Sequence, residues 1–473
     1  MRSPLSSPAA PSRGQQLVLA VAVLASFIAF LDGTVINVAL PAITDDLGGG
    51  IVTQQWVVDA YLITLGAIIL LAGSLSDAFG RKRVLFWGLV GFLVTSVLCA
   101  AAPTASVLIV ARGLQGVAGA LLVPSALALI LSAFSGAAQA KAIGSWTAWT
   151  STAFLAGPLI GGLLVDLVSW RLVFAINVLP IAVTLVLLSR LPGDKGADAG
   201  ARVDVVGAIL GVLGLGLPVF ALIEQANFGW TNPVIIVPAA VGVASFAAFL
   251  LWERRAPQPM MPLGLFSVRN FWVGNVATIF IYSALSLGTF VLAVFLQQVG
   301  GYLATLAGLA LLPVTIFSIL LSRLFGTLAG RVGPRLFMTI GPIIAGAGFF
   351  VMLRIGPDVE YWTEVFPGVL IFGLGLTITV APLTSAILGA IDPSRAGIAS
   401  AVNNAVSRVA GLVAIASASL IVGAQLDLDG LHRAVIVAGV LLVLGGVVSG
   451  LGIVNPRRDG PTGRPESVGS RND

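Results

Sequence analysis

Residues 17–41 read LVLAVAVLASFIAFLDGTVINVALP, twenty-five positions with a single charge, Asp32. About 20 apolar residues are enough to cross a bilayer as a helix. The run is too long for the apolar core of a signal peptide and has no clear small-residue cleavage site, so it reads as a retained first span. Thirteen further apolar runs follow, near 55–76, 84–102, 104–131, 141–165, 170–190, 205–223, 232–252, 270–297, 304–328, 335–354, 362–390, 396–421 and 433–454. Composition agrees. Of 473 residues, 58% are hydrophobic and 10% charged, with a mean hydropathy of +1.04, whereas soluble domains carry about 25% charge. The expectation is an all-α integral membrane protein of fourteen transmembrane helices.

Charge placement sets the orientation. If the N-terminus is cytoplasmic, Arg171, Arg354 and Arg433 fall outside, Arg112, Arg323 and Arg408 fall within helices, and the remaining nineteen of the 25 Lys and Arg lie on the cytoplasmic side. This asymmetry is the positive-inside bias of membrane proteins, and it requires an even number of spans with both termini cytoplasmic. It also accounts for the sequence pI of about 9.9 without invoking nucleic acid. Seven tryptophans, Trp56, Trp87, Trp170, Trp230, Trp252, Trp272 and Trp362, fall at expected span ends, as interfacial anchors do.

Other functions are excluded by count. The chain has one cysteine, Cys99, and one histidine, His432, too few for zinc, haem or Cys/His nucleophile chemistry. Its three lysines, Lys82, Lys141 and Lys195, are followed by Arg, Ala and Gly, so no phosphate-binding P-loop exists. No metal and no cofactor are expected.

The segments GSLSDAFGRKR (73–83) and GTLAGRVGPR (326–335) share Gly-x-Leu and a later Gly at equal offsets. Both follow a span running from outside to inside, as in the parallel halves of many secondary transporters. The expected organisation is a cytoplasmic tail at 1–16, rich in Pro and Ser and therefore disordered, then a six-helix bundle at 17–191. An inserted helix pair at 204–253, a second six-helix bundle at 270–455 and a cytoplasmic tail at 456–473 complete it. The two bundles are pseudo-symmetric.

Ionisable groups at membrane depth are costly and mark pathways by default. Asp32 lies nine residues before Pro41, about 13 Å below the outer surface at 1.5 Å per residue. Arg112 lies roughly 10 Å down a helix descending from outside, with Asp59 just above both. Burial disfavours a charged carboxylate and a nearby guanidinium favours it, so an aspartate balanced between them can exchange a proton. The alternative is a static ion pair that only holds helices together. Glu224, at a helix end, is expected to be solvated, and Arg408, about twelve residues into its helix, needs a partner. Polar and aromatic groups within apolar helices, Asn37, Tyr61, Gln115, Trp149 and Tyr282, are candidates to line a substrate cavity. In FLAGPLIGG (154–162), Pro158 bends a helix while Gly157, Gly161 and Gly162 admit a close neighbour.

Four ordered segments, LDGTVINVALP (31–41), GSLSDAFGRKR (73–83), ARGLQGVAGALLVP (111–124) and AGPLIGG (156–162), resemble the signatures of the major facilitator superfamily. With fourteen spans the chain is similar to its drug:proton antiporters. The resemblance implies proton-coupling roles for Asp32, Arg112 and Asp59, a conformational gate at Gly73, Asp77, Gly80 and Arg81, and an antiport motif at Gly157, Pro158, Gly161 and Gly162. Ala78 and Gly330 depart from the pattern, where a basic residue and an aspartate are usual, so the gate's charges differ. The implied activity is proton-coupled efflux of lipophilic, cationic small molecules across the cell membrane by a monomer. Its partners are the substrate, protons and the lipid bilayer, and the proton gradient drives it. The alternative is export of an endogenous lipid or secondary metabolite.

Overall fold

The computed structural model describes residues 12–193, 204–257, 259–392, 395–423 and 425–455. The expected tails at 1–16 and 456–473 therefore lie outside the described residues, except from Ser12 onward. Helices dominate the chain. The first group comprises α1 (Arg13–Leu47), α2 (Gly50–Phe79), α3 (Arg81–Ala100), α4 (Ala105–Ala133), α5 (Gly136–Leu167), α6 (Leu172–Ala175) and α7 (Val178–Ser189). A pair follows, α8 (Val205–Phe228) and α9 (Pro233–Glu253). The last group is α10 (Arg269–Gln298), α11 (Ala304–Ala310), α12 (Leu312–Val332), α13 (Pro334–Val351), α14 (Phe366–Leu388), α15 (Ala396–Ala416), α16 (Ala418–Val422) and α17 (Leu428–Gly452).

Local sequence explains the ends and breaks. Ser12, Thr104, Asp204, Asn232 and Asp427 cap the helices they precede through side-chain oxygens that accept backbone N–H groups, satisfying donors that a helix start leaves orphaned. Pro180 and Pro313 sit just inside α7 and α12, and each separates a short helix from the long one that continues the same span. Among the described residues thirteen helical segments are long and apolar enough to cross a membrane. The run expected at 141–165 falls in α5, a 32-residue helix. Its first half carries Gln139, Lys141, Ser145, Thr147 and Thr150.

Packing sorts these helices. α1 packs on α4 and α5, and α4 also on α2 and α3. In the last group α10 packs on α15 and α17, while α13 and α14 pack on each other and on α17 and α12 respectively. Two seams join the groups, α2 against α15 and α5 against α11. The α8–α9 pair is held through α8, which lies on both α2 and α15. Trp56 Nε1 of α2 donates to Glu224 Oε1 of α8 at 2.7 Å. Glu224, expected to be merely solvated, is thus a cross-helix acceptor.

The repeated loops have one backbone solution. Gly80 joins α2 to α3 at φ +93°, and Gly333 joins α12 to α13 at φ +103°. Each lies seven residues after the repeat's first glycine, Gly73 or Gly326. A side chain is disfavoured at such angles, which is why this glycine recurs.

Candidate functional site

The Asp32 carboxylate of α1 and the Arg112 guanidinium of α4 meet at 2.7 Å, both fully buried. A buried pair holds only if its remaining polar valences are met, and here they are. Arg112 Nε donates to the Val57 carbonyl at 2.9 Å, and Arg112 Nη1 also donates to Gln115 Oε1 at 2.7 Å. Gln115 Nε2 and Asn177 Nδ2 donate to Asp32 Oδ1 at 3.1 and 3.0 Å, and both amides reach Ser96 Oγ. The Tyr61 ring lies 4.3 Å from the guanidinium carbon and Phe174 5.7 Å, favourable aromatic placements for a cation. Five helical elements thus meet at one ion pair, and loss of its charge would be felt by all of them.

Beside this network is a cavity of about 560 Å³ between the two groups of helices. Asn37, Tyr61, Tyr282 and Arg112 line it, together with Pro158, Asn403, Asn404 and Arg408. The volume suits a small organic molecule. Arg408, which the sequence left without a partner, donates through Nε to Asn404 Oδ1, one turn earlier, at 3.2 Å. Asn403 is engaged elsewhere, donating to Asn275 Oδ1 and Thr278 Oγ1 on α10. Of the expected lining residues, Gln115 stands behind the wall in the Asp32 network and is fully buried. Trp149 is 61% exposed and does not line the cavity; an aromatic group within an apolar helix suggests an interior place, but hydropathy does not fix which face of the helix it takes.

Asp59 stands apart from this network. It is fully buried, and neither carboxylate oxygen has a hydrogen-bond partner among the described residues. It shares a helical stripe with Gln55, Trp56 and Ile63. Gln55 Nε2 donates to the carbonyls of Ile415 and Ala416 on α15, Trp56 reaches α8, and Ile63 packs with Val219, Ile223 and Leu412. Asp59 therefore sits on the α8–α15 face of α2, and Val58, Tyr61 and Leu62 are the neighbours that line the cavity.

The glycine motif of α5 faces two partners. A Cβ at Gly157 would stand 2.0 Å from Thr34 Oγ1, and one at Gly161 2.6 Å from Val35 Cγ2, both on α1. At Gly162 it would stand 2.3 Å from Thr305 Cα and 2.6 Å from Thr305 N, the backbone of α11. Pro158 belongs to the same contact, because a Cβ at Gly308 would lie 2.7 Å from its carbonyl oxygen. Asp166 closes the seam by accepting from the backbone N–H groups of Ala304 and Thr305 at 3.0 and 2.8 Å. Arg81 opens α3 directly after Gly80. The side-chain surroundings of Gly73 and Asp77 lie outside the described residues.

Reading the sequence missed Asn177, Ser96 and Asp166. Asn177 interrupts an otherwise apolar run beside Pro180, and an amide at that depth was the available signal. Among the described residues no cluster of three His, Cys, Asp or Glu residues could hold a metal ion.

Helical spans in two packed groups, with a buried ion pair beside a cavity between them, define a membrane transporter. Residues 22–415 match the family model of the Major Facilitator Superfamily, and the chain belongs to that family. It is a multi-pass membrane transporter and not an enzyme. It is 35% identical over 414 residues to the methylenomycin A resistance protein of Bacillus subtilis (strain 168), covering 86% of this chain and 87% of that protein. It is also 35% identical to a puromycin resistance protein of Streptomyces alboniger, with 84% and 80% covered. The fold is similar to that of a crystallised peptide transporter POT, with a TM-score of 0.68 at 16% identity, covering 92% and 93% of the two chains.

Proposed function

We propose that this transporter is a proton-coupled exporter of lipophilic, antibiotic-type small molecules, working by alternating access across the bacterial cell membrane. The observation that carries the reading is the Asp32–Arg112 pair, enclosed beside the central cavity and wired to α2, α3 and the α6–α7 segment. The similarity to resistance proteins supports drugs as cargo. In this reading fourteen spans place both termini in the cytoplasm. Bundles at 17–191 and 270–455 rock about the cavity, and the pair at 204–253 is an insertion. The protein works as a monomer, without a cofactor.

The contacts α5–α11 and Gln55–α15 lie at the end of the molecule opposite the start of α1 and the end of α17, so in this reading the cavity faces the cytoplasm. Cargo enters and the bundles rock to face outward. A proton then reaches Asp32, removes its charge and loosens its hold on Arg112, Gln115 and Asn177. Return of the proton to the cytoplasm restores the pair. Each charge crossing inward gains about 2.3 kcal/mol per 100 mV of membrane potential. Gly80 and Arg81, with Gly73 and Asp77, form the gate at the cytoplasmic end.

The test is quenching of a pH-sensitive dye in energised inverted vesicles, with a panel of antibiotics added. Drug-triggered proton release from wild type but not from Asp32→Asn is the expected result. Equal release from both removes Asp32 from the coupling. No release with any drug moves the cargo to an endogenous lipid or metabolite.

A further inference from the structure

The cavity wall carries two guanidinium groups, Arg112 and Arg408, and no Asp, Glu, Lys or His among its described lining residues. Arg112 is already neutralised by Asp32. Arg408 is not: among the described residues no carboxylate lies within ion-pairing distance, and its only hydrogen bond is Nε to Asn404. The two terminal nitrogens of its fork are uncommitted. The nearby wall residue Tyr282 likewise has no hydrogen-bond partner for its hydroxyl among the described residues. A lone cation at membrane depth is costly unless something supplies the opposite charge. Among the described residues neither buried carboxylate supplies it, because Asp32 is held by Arg112 and Asp59 is not part of the cavity wall.

We propose that Arg408 anchors an acidic group on the transported molecule, so that the cavity selects lipophilic anions. The planar fork matches a carboxylate or sulfonate through two parallel hydrogen bonds. Phe30, Phe290, Phe372 and Leu312 offer an apolar wall for the rest of the molecule. A lipophilic cation in the same space meets an unscreened like charge. Neither of the buried carboxylates, Asp32 or Asp59, is among the described residues of the cavity wall. The inference deepens the export reading, and it has an electrical consequence. Exchange of one anion outward for one proton inward carries two positive charges inward per cycle, where a monovalent cation would carry none.

The test is equilibrium binding to the purified full-length protein in phosphatidylcholine nanodiscs, with empty discs subtracted. Three probes share one ring system: a naphthalene sulfonate, the matching naphthalene methanol and the matching naphthyl trimethylammonium. Wild type is expected to prefer the sulfonate by about tenfold over both others, the worth of a charge-assisted hydrogen bond. Arg408→Gln abolishes that preference while leaving the methanol unchanged, and Arg408→Lys keeps most of it. Preference for the ammonium, or a sulfonate preference that survives Arg408→Gln, overturns the proposal. So does an equal loss of all three probes in an Arg408→Gln protein with an unchanged unfolding temperature. If Arg408→Gln does not fold, the wild-type ranking and Arg408→Lys still decide. Binding is read without a gradient, so failure of proton-coupled export in vesicles would leave this result standing, and the reverse also holds.

Discussion

Adding one methyl group at Gly162 should change which way the transporter faces. The new Cβ of Gly162→Ala would lie 2.3 Å from Thr305 Cα, 2.6 Å from Thr305 N and 2.9 Å from the Ala304 carbonyl carbon. All three are backbone atoms of another helix, so no side chain can swing aside. Ordinary contact begins near 3.4 Å, and α5 and α11 must separate by about 1 Å to reach it. Overpacking of this kind costs about 1–3 kcal/mol. The cost falls only on the state in which the seam is closed, so the ratio of the two states should shift roughly 5- to 150-fold toward the open one. Val168 and Leu303, 68% and 61% exposed, flank the seam and can carry spin labels as cysteines. Native Cys99 is fully buried and is therefore inert to labelling. Pulsed electron resonance should find the distance distribution moved to longer values in Gly162→Ala. Gly161→Ala is the control, since its Cβ meets Val35 and Val38 of α1 within the same group of helices. It should lower the unfolding temperature without moving the distribution. An unchanged distribution in Gly162→Ala, or the same shift in both variants, would refute the assignment of this contact to the closed seam.

Three further outcomes concern Asp32, Asp59 and Trp56. Asp32→Asn leaves the Arg112 guanidinium enclosed without its counter-ion, a loss of about 3–5 kcal/mol; thermal unfolding should drop, and the double variant Asp32→Asn/Arg112→Gln should recover stability but not transport. Asp59→Leu removes a carboxylate whose oxygens have no hydrogen bond and should raise the unfolding temperature; a simultaneous fall in drug-driven proton flux would mark the residue as functional, the usual cost of a destabilised working group. Trp56→Phe deletes the hydrogen bond to Glu224, worth about 0.5–1.5 kcal/mol or up to 3 to a charged acceptor, and should speed protease cleavage between α8 and α9 while leaving antibiotic efflux intact.

How much of this was legible in the sequence depended on the kind of signal. Hydrophobic runs have a length threshold set by the bilayer, so the spans could be read directly, and family membership followed from motifs that combine small residues with charges. Among the described residues thirteen segments meet the span criteria, and the run read at 141–165 lies within the 32-residue helix α5. Depth arithmetic set Asp32 and Arg112 in one layer, and in the structure they are 2.7 Å apart. Depth carries no information about azimuth, however. Asp59 lies at a compatible depth, but one helical face away from the cavity, and only the packing of α8 and α15 against α2 fixes that face. Asn177 offered only an amide at membrane depth as a signal and Ser96 none, because neutral polar residues are common in helices, and their meaning comes from convergence around Asp32.

The position of α8 has a consequence for how cargo dissolved in the lipid gains entry. Of the two clefts between the halves, one carries α8 laid along α2 and α15, with Trp56 stitched to it. At the other, α11 packs on α5, away from the α8–α9 pair. A bilayer-soluble molecule therefore meets a shuttered side and a bare side. The bare side ends at Pro158 and Gly308, which are themselves part of the cavity wall. The α8–α9 pair thus covers one of the two clefts while supplying no residue to the described cavity wall.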